Sequence, residues 1–343
     1  MISPLERASD LAIRHANYLI FACVLLYFGL QAPTFLLPES LANILKQSSF
    51  IGIAALGMTL VLLTGGIDLS VGSVMYLAPL IAGIAMQEMG LGVPFGLFVA
   101  LVAGVAMGAF NAFFIVRLRV IPFIVTLATL FLFRGFGTWL TSSQQFDFSE
   151  EMRAFGLGGF AGIPTPIVFF AGVAVLIHVL LAHTAFGRQI YALGNDREAA
   201  RKAGLRTAWV EARVYILCSA CAALSGFIII AQIGRLDAGF GEGREFDVIA
   251  AAVLGGASLF GGVGSAFGAV IGATLIQTVK LGLVFSGVNL YLQPMVQGLI
   301  IFVAVLADSF RERRVQASQK RTIRPLTPDI GRPIVSPVTV GGQ

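Results

Sequence analysis

The chain has 343 residues, of which 57% are hydrophobic and 12% are charged, and its mean hydropathy is +0.88. An ordinary soluble domain carries about 25% charged residues, so this composition excludes a typical water-soluble protein. The formal net charge is +5, but most of the 23 Lys and Arg fall in loops on one side of the predicted topology. That distribution is the positive-inside pattern of a membrane protein. We therefore predict an all-α, polytopic helical membrane protein with no nucleic-acid partner.

Apolar runs recur along the chain at about the 20-residue length that crosses a bilayer core of roughly 30 Å. They do not alternate between polar and apolar residues, as the strands of a membrane barrel would. We predict about ten transmembrane segments, some short or broken at Gly-rich turns, near residues 17–35, 48–64, 71–86, 93–116, 121–141, 164–182, 210–231, 248–261, 264–284 and 291–308. Ten crossings place both termini on one side, and the basic loops assign that side to the cytosol.

The chain divides into three predicted parts. Residues 1–16 form a cytosolic N-terminal segment, residues 17–310 form the transmembrane domain, and residues 311–343 form a cytosolic tail. The tail combines several prolines with Arg and Lys, a composition typical of a disordered arm beside anionic membrane lipid. Two loops, 142–163 outside and 184–207 in the cytosol, are long enough to have structure of their own.

The stretch LLTGGIDLSVGSV, residues 62–74, interrupts two apolar runs. Gly65 and Gly66 permit a left-handed end to one helix, and Asp68 or Ser70 can accept hydrogen bonds from the first N–H groups of the next. We predict a tightly turned helix pair with a built-in cap, which serves either as structure alone or as a hinge or gate. A similar stretch, LGGASLFGGVGS at 254–265, reflects either an internal repeat or a shared composition.

A second polar stretch, ALGNDREAARKAGLRT at 192–207, lies in the predicted cytosolic loop. Asn195 and Glu198 have the spacing of a capping box. Ala199, Ala200 and Ala203 form a face of small residues. Gly204 suits the position just after a helix. The pattern predicts a short helix that either docks into a groove of another protein or is simply solvated.

The remaining cysteines and charged residues in the apolar runs show no pattern typical of catalysis or metal binding. Cys218 and Cys221 have CxxC spacing, but no second pair or nearby His completes a metal site. Arg134 and Lys280 are predicted within the membrane, and we interpret them as snorkelling or structurally paired. The sequence predicts no catalytic residue, no metal site and no cofactor.

Four stretches together resemble the permease subunits of ATP-binding-cassette importers of the ribose-type simple-sugar branch. They are GGIDLSVG at 65–72, GAFNAFFIVRLRVIPFIVTLATLFLFRG at 108–135, YALGNDREAARKAG at 191–204 and REFDVIAAAVLGGASLFGGVGS at 244–265. The resemblance runs from about residue 20 to 310. The sequence departs from the family pattern with a single glycine before Asn195, with Ala112 after Asn111, and with Lys280 where relatives tend to carry Asn.

The resemblance implies that the 184–207 loop couples to a separate ABC ATPase subunit. This chain lacks a GxxxxGK[ST] phosphate loop, so we do not expect it to be an enzyme. Further implied partners are an extracytoplasmic sugar-binding protein, a second permease copy in a homo- or heterodimer, and a sugar. The implied location is the cytoplasmic (inner) membrane. The implied coupling residues are Gly194, Asn195, Glu198, Ala199, Ala200, Ala203 and Gly204, and the implied path or gate residues are Gly65, Gly66, Asp68, Ser70 and Asn111.

Three other functions remain open at this stage. An ABC permease for branched-chain amino acids or for nucleosides would share the architecture. An amino acid is a zwitterion, however, and its binding calls for fixed charges, in which the spans are poor. An ion-coupled secondary transporter would need several acidic groups at mid-membrane, and Asp68 is the one good candidate. The sequence therefore favours import of a neutral monosaccharide or a related polyol.

Overall fold

The computed structural model describes residues 16–292, 294–296, 298–299, 302–303 and 306. The tail predicted at 311–343, the segment 1–15 and part of the span 291–308 lie outside the described residues. The helices are α1 (Ala16–Gln31), α2 (Pro38–Leu63), α3 (Val71–Met89), α4 (Val93–Ala112), α5 (Pro122–Leu140), α6 (Glu150–Leu157), α7 (Thr165–His183), α8 (Ala185–Asn195), α9 (Arg197–Lys202), α10 (Thr207–Ile233), α11 (Arg244–Leu254) and α12 (Ala266–Phe285).

Seven of these helices are long and apolar enough to cross a membrane: α2, α3, α4 with its π-helical extension Phe113–Arg117, α5, α7, α10 and α12. The prediction of an all-α membrane protein is confirmed, whereas the count of about ten spans is not. Helix α1 is apolar but shorter. The segment predicted at 248–261 is wrong in its bounds, because α11 covers Arg244–Leu254 and is followed by a turn in which Gly256, Gly261 and Gly262 have positive φ.

Helix α10 lies at the centre of the bundle and packs against α2, α3 and α4. Small residues bring these backbones close together, as is usual between membrane helices. Gly57 of α2 lies against Cys218 and Cys221, and Gly104 of α4 lies against Ala223. Helices α5 and α7 are mostly exposed and carry apolar side chains outward, which suits a lipid-facing periphery.

Helix α3 begins about halfway along α10 rather than at one of its ends. Gly226 of α10 contacts the backbone of Met75, four residues into α3. At 1.5 Å per residue, Val71 therefore lies about 22 Å from the Thr207 end of a helix about 40 Å long. Helix α2 runs antiparallel to α10, with the Ser225 hydroxyl donating to the Phe50 carbonyl, and ends nearer the Thr207 end.

Helix α11 is the second helix that begins inside the bundle. Its 11 residues span only about 16 Å. They lie antiparallel to α12, with Asp247 beside Lys280 and Gly255 against Gly268. Gly72, in the first turn of α3, lies against Gly241 and against the Glu245 side chain. The N-terminal ends of α3 and α11 therefore meet within the bundle.

The 142–163 loop contains structure of its own. Strand β1 (Phe146–Asp147) pairs antiparallel with β4 (Arg235–Leu236), so that Phe146 lies opposite Leu236. Strands β2 (Gly159–Phe160) and β3 (Ile163–Pro164) form a second pair. In the chain between β1 and β2, Ser149 caps α6 by accepting a hydrogen bond from the Met152 amide.

The 184–207 loop contains two helices, α8 and α9, instead of one. Asp196 caps α9 by accepting hydrogen bonds from the Glu198 and Ala199 amides, both at 2.9 Å. The predicted capping role of Asn195 is therefore wrong: Asn195 is the last residue of α8, whereas Asp196 has the extended backbone that a cap requires. The prediction for Gly204 is confirmed, because its φ is +85° and its amide donates to the Arg201 carbonyl.

Candidate functional site

The turn between α2 and α3 closes the end of α2 with a left-handed glycine. Gly65 has a φ of +75°, and its amide donates to the Leu62 carbonyl at 2.8 Å. The Gly66 amide donates to the Val61 carbonyl at 3.1 Å, which completes a Schellman motif. Only Gly65 of the two adopts positive φ. Gly66 is required for another reason, because a Cβ there would overlap the Tyr215 hydroxyl.

Asp68, Ser70 and Asn111 form a hydrogen-bonded chain from this turn to α4. Oδ1 of Asp68 accepts from the Ser70 amide at 2.9 Å and from the Ser70 hydroxyl at 2.6 Å. The Asn111 side-chain amide donates to the Ser70 hydroxyl at 2.9 Å. All three side chains are fully buried. Of the two predicted capping acceptors, Asp68 is the one that receives a backbone N–H, and the structure brings it together with the predicted path residue Asn111.

Several buried polar atoms around this chain lack a hydrogen-bond partner among the described residues: Asp68 Oδ2, Asn111 Oδ1 and the hydroxyls of Tyr215 and Ser219. A buried polar group without a partner costs about 1–3 kcal/mol. Water molecules or another hydrogen-bonding molecule would satisfy these atoms. Sequence reasoning did not find Tyr215 or Ser219, because both lie within a run that is predicted as a membrane span and give no separate signal.

Arg134 and Lys280, the charges predicted within the membrane, are both paired with other parts of the chain. Arg134 donates from Nη1 to the carbonyls of Ala238 and Phe240, each at 3.0 Å, and its guanidinium lies 5.5 Å from the centre of the Tyr76 ring. Lys280 Nζ lies 2.7 Å from Asp247 Oδ2. Both residues are therefore structurally paired, and Arg134 holds the loop before α11 in place.

Backbone contacts join the 184–207 loop to both glycine-rich turns at what we call the glycine junction, formed by Leu63, Gly194, Gly261 and Gly262. The Gly262 amide donates to the Leu63 carbonyl at 2.9 Å. Gly194 packs so closely that a Cβ there would overlap the Leu63 oxygen. The Tyr191 hydroxyl adds a hydrogen bond of 2.8 Å to the Gly264 carbonyl. The two stretches that echo each other in the sequence thus meet each other and the loop.

Helix α9 presents part of its small-residue face to solvent. Ala199 and Ala203 are exposed and lie one turn apart, whereas Ala200 is buried. The predicted alanine face is therefore divided, and only two of its three members are open to a partner. Glu198 is exposed and forms an ion pair of 3.0 Å with Lys202.

An ion pair fixes α9 to the start of α10. Arg197 forms two hydrogen bonds with the carboxylate of Glu211, which is almost fully buried. This hydrogen bonding raises the pKa of Arg197 above its ordinary value, so the charge is permanent at any physiological pH. Sequence reasoning missed Glu211, because its 14-residue separation from Arg197 gives no local signal.

The chain matches, over residues 40–305, the family described as "Branched-chain amino acid transport system / permease component". It belongs to this permease family. It is 38% identical to the "Ribose import permease protein RbsC" of Bacillus subtilis over 80% of this chain and 86% of that protein. The protein of the same name from Escherichia coli K12 is also 38% identical, over 82% and 89%. The "Galactofuranose transporter permease protein YtfT" of E. coli K12 is 35% identical, over 78% and 79%.

Family membership confirms the resemblance drawn from the four motifs. The matched range contains every predicted path and coupling residue. Together with seven helices of membrane-crossing length, it makes this permease a multi-pass membrane protein. The described residues contain no cluster of His, Cys, Asp or Glu that could hold a metal ion.

Proposed function

We propose that this chain is the permease subunit of an ATP-driven importer that moves a neutral monosaccharide or a related polyol across the cytoplasmic membrane. The observation that carries the proposal is the glycine junction. An exposed two-helix loop of the kind that could receive a partner packs directly against the two turns where membrane helices begin or end, and a hydrogen bond from Tyr191 joins it to one of them. Such an arrangement can convert movement of the loop into movement of those turns.

The coupling residues would divide into two roles. Glu198, Ala199, Ala203 and Gly204 are exposed and would meet an ABC ATPase subunit. Gly194, which contacts Leu63 within the glycine junction, and Asn195, which contacts Gly262, would pass the movement inward. Ala200 is buried against the permease and would hold α9 in place. ATP hydrolysis would belong to the ATPase subunit.

The path or gate would lie at the turn between α2 and α3. Gly65 and Gly66 shape this turn, and Asp68, Ser70 and Asn111 tie it to α4 through the hydrogen-bonded chain. The unpartnered atoms beside this chain can exchange hydrogen bonds with water or with a polyol. Apart from Asp68, the gate is built from neutral hydrogen-bonding groups, and these suit a neutral solute, because an ion would need a compensating charge in a medium of low dielectric constant.

Assembly and topology follow from the same proposal. The permease would work with an extracytoplasmic binding protein, an ATPase and a second permease copy, either identical or related. Residues 17–310 would form the transmembrane domain with about ten crossings, which includes α1, the short α11 and the last span at 291–308. Residues 1–16 and 311–343 would lie in the cytosol, the tail beside anionic lipid.

The names of the three relatives all mention a sugar, which supports the substrate class. The family description names branched-chain amino acids instead, so an amino acid permease is the second candidate. The test is uptake into proteoliposomes that contain the permease, its ATPase and its binding protein. We expect ATP-dependent uptake of labelled D-ribose or another monosaccharide. ATP-dependent uptake of L-leucine without any sugar would overturn the sugar assignment, and uptake without an ATPase would overturn the importer class.

A further inference from the structure

A pocket of about 510 Å³ that contains charged residues opens at the N-terminal end of α11. Its volume is within the range of about 300–1,000 Å³ that is usual for small-molecule sites. The lining combines the loop before α11, the first turn of α11, one residue of α12 and two residues of the segment after it. The lining residues are Glu242, Gly243, Arg244, Phe246, Asp247, Lys280, Pro294 and Gly298.

Among the described residues that line this pocket, the charges balance. Glu242 and Asp247 are acidic, whereas Arg244 and Lys280 are basic, and Asp247 and Lys280 contact each other at 2.7 Å. An anion would meet two carboxylates, and a cation would meet two basic groups. A neutral solute that both donates and accepts hydrogen bonds meets neither repulsion, and its bonds to charged groups are stronger than those to neutral groups.

An aromatic ring completes the pocket. The Phe246 side chain is 54% exposed although it lies in the first turn of a helix that is otherwise largely buried. An apolar ring among four charged groups can cover the C–H face of a solute while its hydroxyls bond to the charges.

We propose that this pocket is a contact site for the transported solute, which is a neutral polyhydroxylated molecule. This inference rests on the proposed function. The pocket lies on the first turn of α11, and Glu245 in the same turn contacts Gly72 of α3. A solute held there lies beside the point where the N-terminal ends of α3 and α11 meet inside the bundle. Lys280 stands where members of the resembling family tend to carry Asn. In this proposal, its side chain helps to select among polyols.

The test uses the complete complex in proteoliposomes with saturating binding protein. Labelled D-ribose, D-galactose and ribitol are compared, and the best substrate of the wild-type complex is then used for the variants. The pocket variants are Phe246→Ala, Glu242→Gln and the doubly neutral Asp247→Asn with Lys280→Gln. We expect roughly tenfold less solute carried per ATP hydrolysed, since each variant removes a strong contact. Stimulation of ATP hydrolysis by the binding protein remains within about twofold, because assembly is unaffected.

Matched controls separate this effect from general damage. Phe98→Ala removes another exposed phenylalanine, and Glu39→Gln neutralises another exposed glutamate, both away from the pocket. Pocket variants that carry as much solute per ATP as these controls overturn the pocket assignment and leave the proposed function intact. A wild-type complex that carries none of the three polyols overturns both.

A chemical probe gives an independent readout. Phe246→Cys in a background without other cysteines reacts with a maleimide at a rate that depends on access to the pocket. We expect millimolar D-ribose, or whichever polyol is transported, to slow this reaction in the complete complex. Slowing by L-leucine or inorganic phosphate but not by the polyol overturns the proposal.

Discussion

The carbonyl of Leu63 accepts a hydrogen bond of 2.9 Å from the amide of Gly262, which joins residues that are 199 positions apart in the chain. Leu63 is the last residue of α2, and Gly262 lies in the turn between α11 and α12. Gly194 of α8 packs onto the same carbonyl oxygen. One peptide group therefore connects two membrane turns with the loop that is proposed to receive the ATPase.

Gly194→Ala tests whether this connection transmits movement. A Cβ at Gly194 would overlap the Leu63 oxygen, so the loop must move away from the junction. We expect ATP-dependent uptake to fall by at least about tenfold, whereas the variant still inserts and still binds the ATPase. The measurement combines uptake, ATP hydrolysis and co-purification of the ATPase.

The matched control is Gly172→Ala in α7, where an added Cβ meets no atom within 4 Å. This variant should transport normally. A Gly194→Ala variant that transports as well as the control would contradict a role of the junction in coupling.

Ala199→Arg tests the exposed face of α9. The change places a long charged side chain where the ATPase is proposed to dock, and the exposed position tolerates it without unfolding the permease. We expect normal membrane insertion but loss of the ATPase from the purified complex, or loss of substrate-stimulated hydrolysis. Ala154→Arg, also at an exposed alanine but on α6, should keep both. Unchanged transport in Ala199→Arg would exclude docking on this face.

Arg197→Ala tests the anchor of α9. The change leaves the buried carboxylate of Glu211 without its cation, which should cost about 1–3 kcal/mol in the free energy of unfolding. Arg197 is itself more than half exposed, so the lower part of that range is expected. Thermal unfolding of the purified permease measures the cost. The double variant Arg197→Ala with Glu211→Gln should recover part of it, and no recovery would show that the pair is not the cause.

Each motif of the site could be found from the sequence, but their meeting could not. The glycines near 65, 194 and 262 are visible as breaks in apolar or helical patterns. Their contact depends on where α2 ends relative to α10, which is determined by packing between distant helices. The choice between Asn195 and Asp196 as the cap was equally out of reach, because both residue types accept the same hydrogen bonds and only the backbone of Asp196 is extended.

The short α11 shows the limit of span prediction by hydropathy. The run from 248 to 261 is apolar enough to suggest a crossing, yet Gly255 and Gly256 end the helix early. Arg134, on the other hand, could be interpreted from the sequence as either snorkelling or structurally paired. Its partners are the carbonyls of Ala238 and Phe240, which have no sequence signature.

The predicted orientation can be tested with single cysteines in a background without other cysteines. Ser149→Cys and Gly239→Cys should react with a membrane-impermeant maleimide added to intact cells. Thr207→Cys and Gln319→Cys should react only after the membrane is opened, because the basic loops place both positions in the cytosol. Gln319 lies in the tail outside the described residues. Labelling of the Thr207 position in intact cells would reverse the proposed topology.

Substitutions of Asp68 distinguish a structural cap from a charge that takes part in transport. Asp68→Asn retains an oxygen that can accept from the Ser70 amide and hydroxyl, whereas Asp68→Ala removes both hydrogen bonds. If the residue serves as a cap, the Ala variant should lose about 1–2 kcal/mol of unfolding free energy and most of its uptake. The Asn variant should then remain close to wild type in both measurements.

The same pair of variants addresses the rival mechanism. An ion-coupled transporter would need the negative charge itself, so Asn and Ala would abolish uptake equally while thermal unfolding of the Asn variant stayed normal. That outcome would contradict a purely structural role, and sensitivity of uptake to an uncoupler would then indicate coupling to the proton gradient. Ser70→Ala provides the control, since it removes the hydroxyl that links Asp68 to Asn111 and leaves the carboxylate in place. Loss of uptake in Ser70→Ala together with normal uptake in Asp68→Asn would show that the hydrogen-bonded chain, rather than the charge, holds the gate.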